Sequence, residues 1–148
     1  MTKSLFINGN WIEGQGDVIQ SKNPVTQEII WSGQTATPSQ VTDAFNAASS
    51  AFKSWRKLTI EARIDICKAF AELLKENQEH LATVIGSETG KPLWEARTEI
   101  TAMVGKIAIS VNAHQQRTGE NRQEMPIGQT VLRHKPHGVV AVFGPYNF

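Results

Sequence analysis

Apolar and polar residues alternate in short runs along the first third of the chain, a pattern typical of β-strands. Residues 5–7 and 11–12 flank the turn-forming pair Asn8 and Gly9, which predicts a β-hairpin. A second pair of strands is predicted at residues 18–19 and 28–31, because an Asn-Pro turn lies between them. No helix is expected before Gly33.

From residue 37 to residue 119 the apolar positions recur every three or four residues, as in amphipathic helices. Thr37, Pro38 and Gln40 predict a capping box at the start of the first helix. Further helices are predicted from Thr59, from 78 to 88 before a left-handed Gly90, and from 92 to about 119. The four apolar stripes comprise Val41, Ala44, Phe45, Ala48, Phe52 and Trp55; Ile60, Ile64, Cys67, Phe70, Ala71 and Leu74; Leu81, Val84 and Ile85; and Ile100, Met103, Val104, Ile107, Val111 and His114.

The period changes to two after residue 120, where residues 130–134 alternate like an exposed strand beside a turn at Gly128. Residues 138–143 are apolar on both faces, which is typical of a buried strand in a parallel sheet. Such a strand needs neighbours reached through long crossover connections. We therefore expect these residues to form the N-terminal piece of a longer protein.

Charge and composition narrow the functional classes. The 148 residues carry 15 Lys and Arg against 14 Asp and Glu, a net charge of +1 that argues against a nucleic-acid-binding arm. No apolar run reaches the roughly 20 residues of a membrane span, and the first 11 residues leave no room for a secretory segment. Cytoplasmic localisation is the resulting expectation, and the single cysteine excludes an internal disulfide.

Few side chains outside the C-terminal segment indicate chemistry. Cys67 lies on an apolar helical stripe, where a thiol is typically a packing group and the thiolate is disfavoured. His134 and His137 form only a weak metal motif, and His114 reads as a packed or capping side chain. Lys91 stands at a helix start, where it either meets an anion or remains a solvated lysine.

The segment from Gly144 to Phe148 follows directly on the predicted buried strand. Ligands of open α/β sheets bind at the carboxyl ends of such strands. Asn147 is a polar side chain among apolar neighbours there. It is either a ligand-facing amide or a turn asparagine, because Asn is also a favoured turn residue.

Five segments together resemble the NAD(P)-dependent aldehyde dehydrogenases. They are residues 6–11, residues 23–24, residues 47–55, residues 88–92 and residues 136–148. The resemblance covers nearly the whole chain. In greater detail, residues 88–96, 117–120 and 132–134 point to a branch of this family that oxidises a semialdehyde.

The resemblance implies an α/β fold, here the N-terminal part of the aldehyde dehydrogenase fold. That part comprises β-hairpins, a helical layer, a protruding assembly hairpin and the first buried strand of a parallel dinucleotide-binding sheet. The resemblance also implies a division of the chain into three regions. Residues 1–119 would begin the NAD-binding domain, residues 120–137 would form the hairpin of a homo-oligomer, and residues 138–148 would start the parallel-sheet core.

The resemblance further implies NAD as cofactor, a small aldehyde as substrate and specific roles near the C-terminus. Asn147 would donate its amide to the oxyanion of the tetrahedral intermediates. Phe143, Gly144, Pro145 and Tyr146 would border the nicotinamide, and Phe148 would line the substrate tunnel. No metal is expected.

The family's catalytic cysteine and glutamate have no counterpart in these 148 residues, so the chain alone is expected to be inactive. Two alternatives remain open. In the first, the intact protein is specific for a different semialdehyde; in the second, the chain serves as a non-catalytic assembly fragment.

Overall fold

The computed structural model describes residues 2–144, which form six β-strands and four α-helices. Within these residues, each strand pairs with its neighbour in sequence, giving three two-stranded sheets. In chain order the elements are β1 (Lys3–Ile7), β2 (Asn10–Glu13), β3 (Val18–Lys22), β4 (Ile29–Gln34), α1 (Pro38–Trp55), α2 (Ile60–Glu76), α3 (Gln78–Thr89), α4 (Leu93–Arg117), β5 (Glu120–Glu124) and β6 (Gln129–Arg133).

The chain divides into two compact units. Within the described residues, the first unit holds residues 2–20, 31–58 and 136–144. The second unit holds residues 21–30 and 59–135. The first unit therefore contains β1, β2 and α1, and the second contains the other three helices and the last hairpin.

The hairpin of β1 and β2 forms at the predicted turn. Asn8 and Gly9 adopt φ angles of 51° and 76°. Two successive left-handed residues match the right-handed twist of the strands, and Asn-Gly adopts them with little strain. Phe6 pairs with Trp11 across the strands, and the centroids of their rings lie 5.2 Å apart. The first predicted hairpin is confirmed.

The second predicted strand pair, β3 and β4, is also confirmed. Its turn is closed by the side chain of Asn23, whose Oδ1 accepts from the backbone N–H of Val25 at 2.8 Å and of Thr26 at 3.1 Å. An asparagine before Pro24 suits this role, because its side chain mimics a backbone turn while the proline fixes φ.

Helix α1 begins with the predicted capping box. The Thr37 hydroxyl accepts from the Gln40 backbone N–H at 3.3 Å, and Gln40 Oε1 accepts from the Thr37 N–H at 3.1 Å. Gln40 is buried, and its side chain also joins α1 to the end of β2 and to the loop that follows β2. Its Oε1 accepts from the Gln15 N–H, and its Nε2 donates to the Glu13 carbonyl. The side-chain amide of Gln40 thus caps helix α1 and also links the start of the helix to Glu13 and Gln15.

The core of the second unit lies where α3 packs on α4. Ala82, Ala96 and Ile100 are fully buried, with Leu81 and Ile85 packed against them. Two alanines allow the helices to approach closely, and Ile100 fills the remaining space. The predicted apolar stripe of α3 contains Leu81, Val84 and Ile85. It is correct except at Val84, which is 37% exposed because it faces away from this contact.

Helix boundaries in the second unit follow the predicted signals. Helix α2 begins after Thr59, whose hydroxyl accepts from the Ala62 N–H at 3.2 Å. Helix α3 ends at Gly90, which has the predicted left-handed conformation with φ of 74°. Helix α4 begins just after Pro92. The local signals at these three positions determined the boundaries.

The last hairpin pairs β5 with β6 in antiparallel register, and all ten of its strand residues are exposed. The predicted exposed strand and its turn at Gly128 are confirmed. One face carries a continuous polar ladder. Arg133 and Arg122 both pair with Glu120, while Arg122 also donates to Gln129, which in turn donates to Glu124.

The predicted buried strand at residues 138–143 is wrong for the described structure. These residues form no strand, and Val140, Val142 and Phe143 are exposed. No strand lies beside them among residues 2–144, and a strand without a neighbour leaves its backbone groups unpaired. Residues 138–143 therefore have the apolar pattern of a buried strand, but the described residues include no sheet that would bury them.

The apolar stripe of α1 has the predicted spacing but is incompletely buried. Val41, Phe45 and Trp55 each keep more than a third of their surface exposed. The amphipathic pattern therefore marks a face that the described residues leave uncovered.

None of the four helices, as far as the structure describes the chain, is long and apolar enough to cross a membrane.

Candidate functional site

The site predicted from the sequence lies at residues 143–148, and the structure describes its first two residues. Phe143 and Gly144 are within the described range. Pro145, Tyr146, Asn147 and Phe148 lie outside the described residues. The geometry of the site can therefore be given for the segment that leads into it.

This segment runs along α1 in the first unit. Gly138 has a φ of 104°, and a Cβ placed on it would lie 4.0 Å from Phe52 Cε1. The positive φ, rather than lack of space, is therefore what requires glycine at this position. Beside it lies an open groove of about 540 Å³ lined by Ala48, Ala51, Phe52, Ser54, Trp55, Leu58, Gly138, Val139 and Val140.

Beyond the groove the segment projects into solvent. Val142 is 86% and Phe143 is 91% exposed. A Cβ on Gly144 would meet no atom of the described residues within 4 Å. No described residue of this segment offers a charged group for a pyrophosphate.

Cys67 is placed on α2, in the second unit, with an intermediate exposure. Phe143 and Gly144 belong to the first unit. The structure therefore gives the thiol a position on an amphipathic helix, as the sequence predicted.

Lys91 is not the solvated lysine of the second predicted alternative, because its ammonium group pairs with carboxylates of the chain, and binding of a separate anion stays a prediction. Its Nζ lies 2.7 Å from Glu99 Oε1 and 3.6 Å from Glu95 Oε1. The hydrogen bond to Glu99 is the main cause that raises the pKa of Lys91, and desolvation opposes it. The Lys91 ammonium group is therefore held by two carboxylates on one face of α4, and these ion pairs stabilise the start of that helix.

A second ion pair, which the sequence did not indicate, joins α3 to α4. Arg97 donates from Nε to Glu79 Oε1 at 2.9 Å and from Nη2 to Glu79 Oε2 at 2.8 Å. This two-point contact lowers the pKa of Glu79 and raises that of Arg97, in both cases chiefly through the side-chain hydrogen bonds. The partners are 18 residues apart, so helical spacing could not have revealed them.

Two of the histidines, His114 and His134, contact other groups of the chain. His114 Nδ1 lies 3.1 Å from the Thr118 hydroxyl at the end of α4, which agrees with the predicted capping role. His134 Nδ1 lies 3.0 Å from the Gly119 carbonyl oxygen. Across residues 2–144 no group of three potential ligands could hold a metal ion, so His134 and His137 are not part of such a cluster.

The turn of β3 and β4 meets the end of α3. The Ser21 hydroxyl donates to Glu88 Oε1 at 2.8 Å. A Cβ on Gly90 would lie 3.0 Å from Pro24 Cγ. Two segments that carried the family resemblance, residues 23–24 and 88–92, are therefore neighbours in space, which explains why neither could be interpreted alone.

Comparison of the sequence with known proteins identifies a family and individual relatives. The sequence profile of the aldehyde dehydrogenase family matches residues 11–148. N-succinylglutamate 5-semialdehyde dehydrogenase of Pseudomonas fluorescens (strain Pf0-1) is 57% identical over 145 residues, 98% of this chain and 30% of the relative. The enzyme of that name from Burkholderia orbicola (strain MC0-3) is 57% identical over 144 residues, 97% of this chain and again 30% of the relative. The chain thus spans less than a third of these relatives.

Solved structures agree with the sequence comparison. Betaine aldehyde dehydrogenase of Staphylococcus aureus, in complex with NAD+, is similar with a TM-score of 0.75 and 27% identity, over 84% of this chain and 26% of that one. An NADP-dependent glyceraldehyde-3-phosphate dehydrogenase of Bacillus halodurans gives a TM-score of 0.74 and 27% identity, over 80% and 25% of the two chains. The described residues thus have the architecture of the N-terminal part of these enzymes, and the chain belongs to the aldehyde dehydrogenase family.

Proposed function

We propose that this chain forms part of an enzyme that oxidises N-succinyl-L-glutamate 5-semialdehyde to N-succinyl-L-glutamate with NAD, in the succinyltransferase route of arginine catabolism. The observation that supports it is the 57% identity to N-succinylglutamate 5-semialdehyde dehydrogenase over 98% of the chain. The two relatives compared share that name, which favours this substrate over other semialdehydes.

In this proposal the C-terminal segment supplies groups for the reaction. The side-chain amide of Asn147 donates a hydrogen bond to the former aldehyde oxygen, where negative charge develops in the tetrahedral intermediates. The backbone from Phe143 to Tyr146 borders the nicotinamide, and Phe148 lines the approach of the aldehyde. Bound NAD would supply the hydride acceptor. The exposed ring of Phe143 and the open backbone of Gly144 are compatible with that role.

The nucleophile and the general base are expected outside these 148 residues. Cys67 is the single cysteine of the chain, and its position on the stripe of α2 favours packing over catalysis. An oxyanion donor stabilises charge but forms no bond to the aldehyde carbon. The isolated chain should therefore form no NADH from any aldehyde.

Substrate assays of the complete enzyme test the proposal directly. N-succinylglutamate semialdehyde should give the highest kcat/KM, compared with succinate semialdehyde and glutamate semialdehyde, with NADH absorbance as the readout. A higher kcat/KM for either rival would transfer the assignment to another semialdehyde dehydrogenase. The isolated chain serves as the blank, and turnover by it after purification to homogeneity would contradict the division of roles.

Replacing Asn147 tests the proposed oxyanion donor. In the complete enzyme, Asn147→Ala should lower kcat by about 10²- to 10³-fold, while the KM for NAD changes little. Asn46→Ala, at an exposed position of helix α1, is the matched control and should leave both constants unchanged. A folded Asn147→Ala enzyme with the wild-type kcat would assign Asn147 to a turn instead.

The proposal extends to assembly and location. Residues 120–137 are proposed to join subunits of a homo-oligomer, and the cytoplasm is proposed as the compartment. The exposure of all ten strand residues of β5 and β6 is compatible with burial against another subunit. Sedimentation of the complete enzyme with and without Leu132→Glu would test this, because Leu132 is exposed on the uncharged face of the hairpin.

A further inference from the structure

Helix α4 passes into strand β5 through a short link, Thr118 and Gly119, within the second unit. Beside the link lies an open cavity of about 350 Å³, lined by His114, Thr118, Gly119, Glu120, Arg133 and His134. This lining consists of polar side chains and one glycine. Hydrogen bonds and ion pairs, rather than apolar packing, therefore hold the link at this cavity.

Gly119 is the point at which the link can bend. Its φ of 126° lies in a region that residues with a Cβ rarely adopt. A Cβ built on it would meet no atom of the described residues within 4 Å. Glycine has more backbone freedom than any other residue, and no side chain of its own restrains it. A fixed direction of the hairpin of β5 and β6 therefore needs a contact to Gly119 from elsewhere in the chain.

The side chain of His134 supplies such a contact. The strand ladder ends where Glu120 pairs with Arg133, and in the same register Gly119 stands opposite His134. His134 Nδ1 lies 3.0 Å from the Gly119 carbonyl oxygen. A carbonyl oxygen only accepts hydrogen bonds, so Nδ1 carries the hydrogen and donates it. The imidazole thus extends the ladder by one pair, at the residue with the most backbone freedom.

The residues on either side of Gly119 are held by other contacts. The Thr118 hydroxyl donates at 2.7 Å to a backbone carbonyl in the last turn of α4. The Glu120 carboxylate pairs with two arginines of the hairpin. With both neighbours fixed, the hydrogen bond from His134 restrains the freedom that remains in the link.

We infer that His134 is a positioning residue, which locks the hairpin of β5 and β6 in one orientation on helix α4 through the Gly119 carbonyl. The lock persists when the imidazole is protonated, because the charged ring also carries a hydrogen on Nδ1. The lock itself does not depend on the proposed substrate. Its consequence for assembly rests on the proposed role of residues 120–137 in a homo-oligomer.

Spin labels measure the lock in the 148-residue chain. In a Cys67→Ser background, the labels are attached to Ile109→Cys on α4 and Ile127→Cys in the turn of the hairpin, both at exposed positions. The distance between the labels should have one narrow distribution. His134→Ala should broaden it. His134→Asn should restore the narrow distribution, because the asparagine amide can donate from nearly the same place as Nδ1.

Hydrogen exchange and the nitrogen chemical shifts of the ring give independent readouts. Loss of one neutral hydrogen bond in His134→Ala should speed amide exchange in β5 about two- to tenfold. The ring of the wild-type chain should be the tautomer with its hydrogen on Nδ1. His80→Ala, at an exposed position of α3, is the matched control and should change neither the exchange rates nor the label distances.

A tautomer with its hydrogen on Nε2 would overturn the inference, as would an equally narrow label distribution in His134→Ala. A distribution that stays broad in His134→Asn would assign the effect to contacts of the ring and would equally contradict the lock. Sedimentation of the complete enzyme then separates the lock from assembly. Weaker self-association of His134→Ala, restored in His134→Asn, would support both. A lock in the chain with unchanged self-association would support the lock and count against the proposed assembly role.

Discussion

The contact of α3 with α4 in the second unit and helix α1 in the first unit differ in how far their apolar positions are covered. In the second unit, Ala82, Ala96 and Ile100 are fully buried where α3 meets α4, and Arg97 with Glu79 clamps the same helices. In the first unit, α1 leaves Phe45 and Trp55 exposed, and its buried polar residue is Gln40 at the helix start. The difference shows that periodicity identifies an apolar face, whereas a facing element is needed to bury it.

The largest expected effect tests whether the second unit owes its stability to the contact of α3 with α4. Ile100→Ala should lower the free energy of unfolding by about 2–5 kcal/mol, since it opens a cavity at a fully buried position. Urea unfolding followed by circular dichroism measures it. Ile109→Ala, in the same helix but 61% exposed, should change stability by no more than about 0.5 kcal/mol. Equal effects of the two substitutions would remove the contrast between covered and uncovered faces.

The next prediction distinguishes the cost of a left-handed backbone conformation from the cost of limited space at two glycines. Gly90→Ala should destabilise the chain by about 1–2 kcal/mol, because a left-handed residue with a Cβ is strained. The new Cβ would also press on Pro24 Cγ at 3.0 Å. Gly105→Ala, inside α4 with open space around it, should stabilise by about 0.5–1 kcal/mol. Two thermal melts compare the variants, and shifts of the same sign would contradict the assigned Gly90 cap.

A smaller effect concerns the ion pair of the second unit. Arg97 lowers the pKa of Glu79 below its ordinary value of 4.5, so this pair stabilises the fold above that pH and the stabilisation is lost as the pH falls through the lowered pKa. Arg97→Ala should therefore lower the urea midpoint near neutral pH and have no effect in strong acid. Lys75→Ala, which removes a 4.0 Å surface contact with Glu72, is the control and should show little effect at either pH. A pH-independent loss for Arg97→Ala would point to lost packing of its aliphatic stem.

The smallest effect is expected in the first unit. Val142→Ser in the 148-residue chain should change the unfolding free energy by less than about 0.5 kcal/mol, because the side chain is 86% exposed. Chemical denaturation of the two proteins side by side provides the measurement. A clear destabilisation would mean that residues 138–143 are already packed in the free chain.

Local chemistry explains how much of the fold could be predicted from the sequence. Asn8 with Gly9, the capping box at Thr37 and the left-handed Gly90 act within a few residues, and each formed as expected. Contacts between distant residues were not predictable in this way. The Arg97 to Glu79 pair spans two helices, and the environment of Lys91 depends on carboxylates one and two turns further along α4.

The candidate site was the least predictable from spacing. Residues 138–143 have the composition of a buried strand, yet burial depends on neighbouring strands that the described residues do not include. The role of Asn147 was implied by family resemblance, since its spacing alone fits a turn equally well. It stays a prediction, as do the domain boundaries at residues 119 and 137.

The order of the elements along the chain has a consequence for synthesis. Helices α3 and α4 occupy successive stretches between Gln78 and Arg117, so the core that they share is built from contacts that are local in sequence. Local contacts form quickly, whereas translation adds only about 5–20 residues per second. The helical core can therefore close on the ribosome before residues 138–143 leave the exit tunnel. The exposed apolar segment would then emerge only after that core has folded, which shortens the time in which unfolded helices could mispair with it.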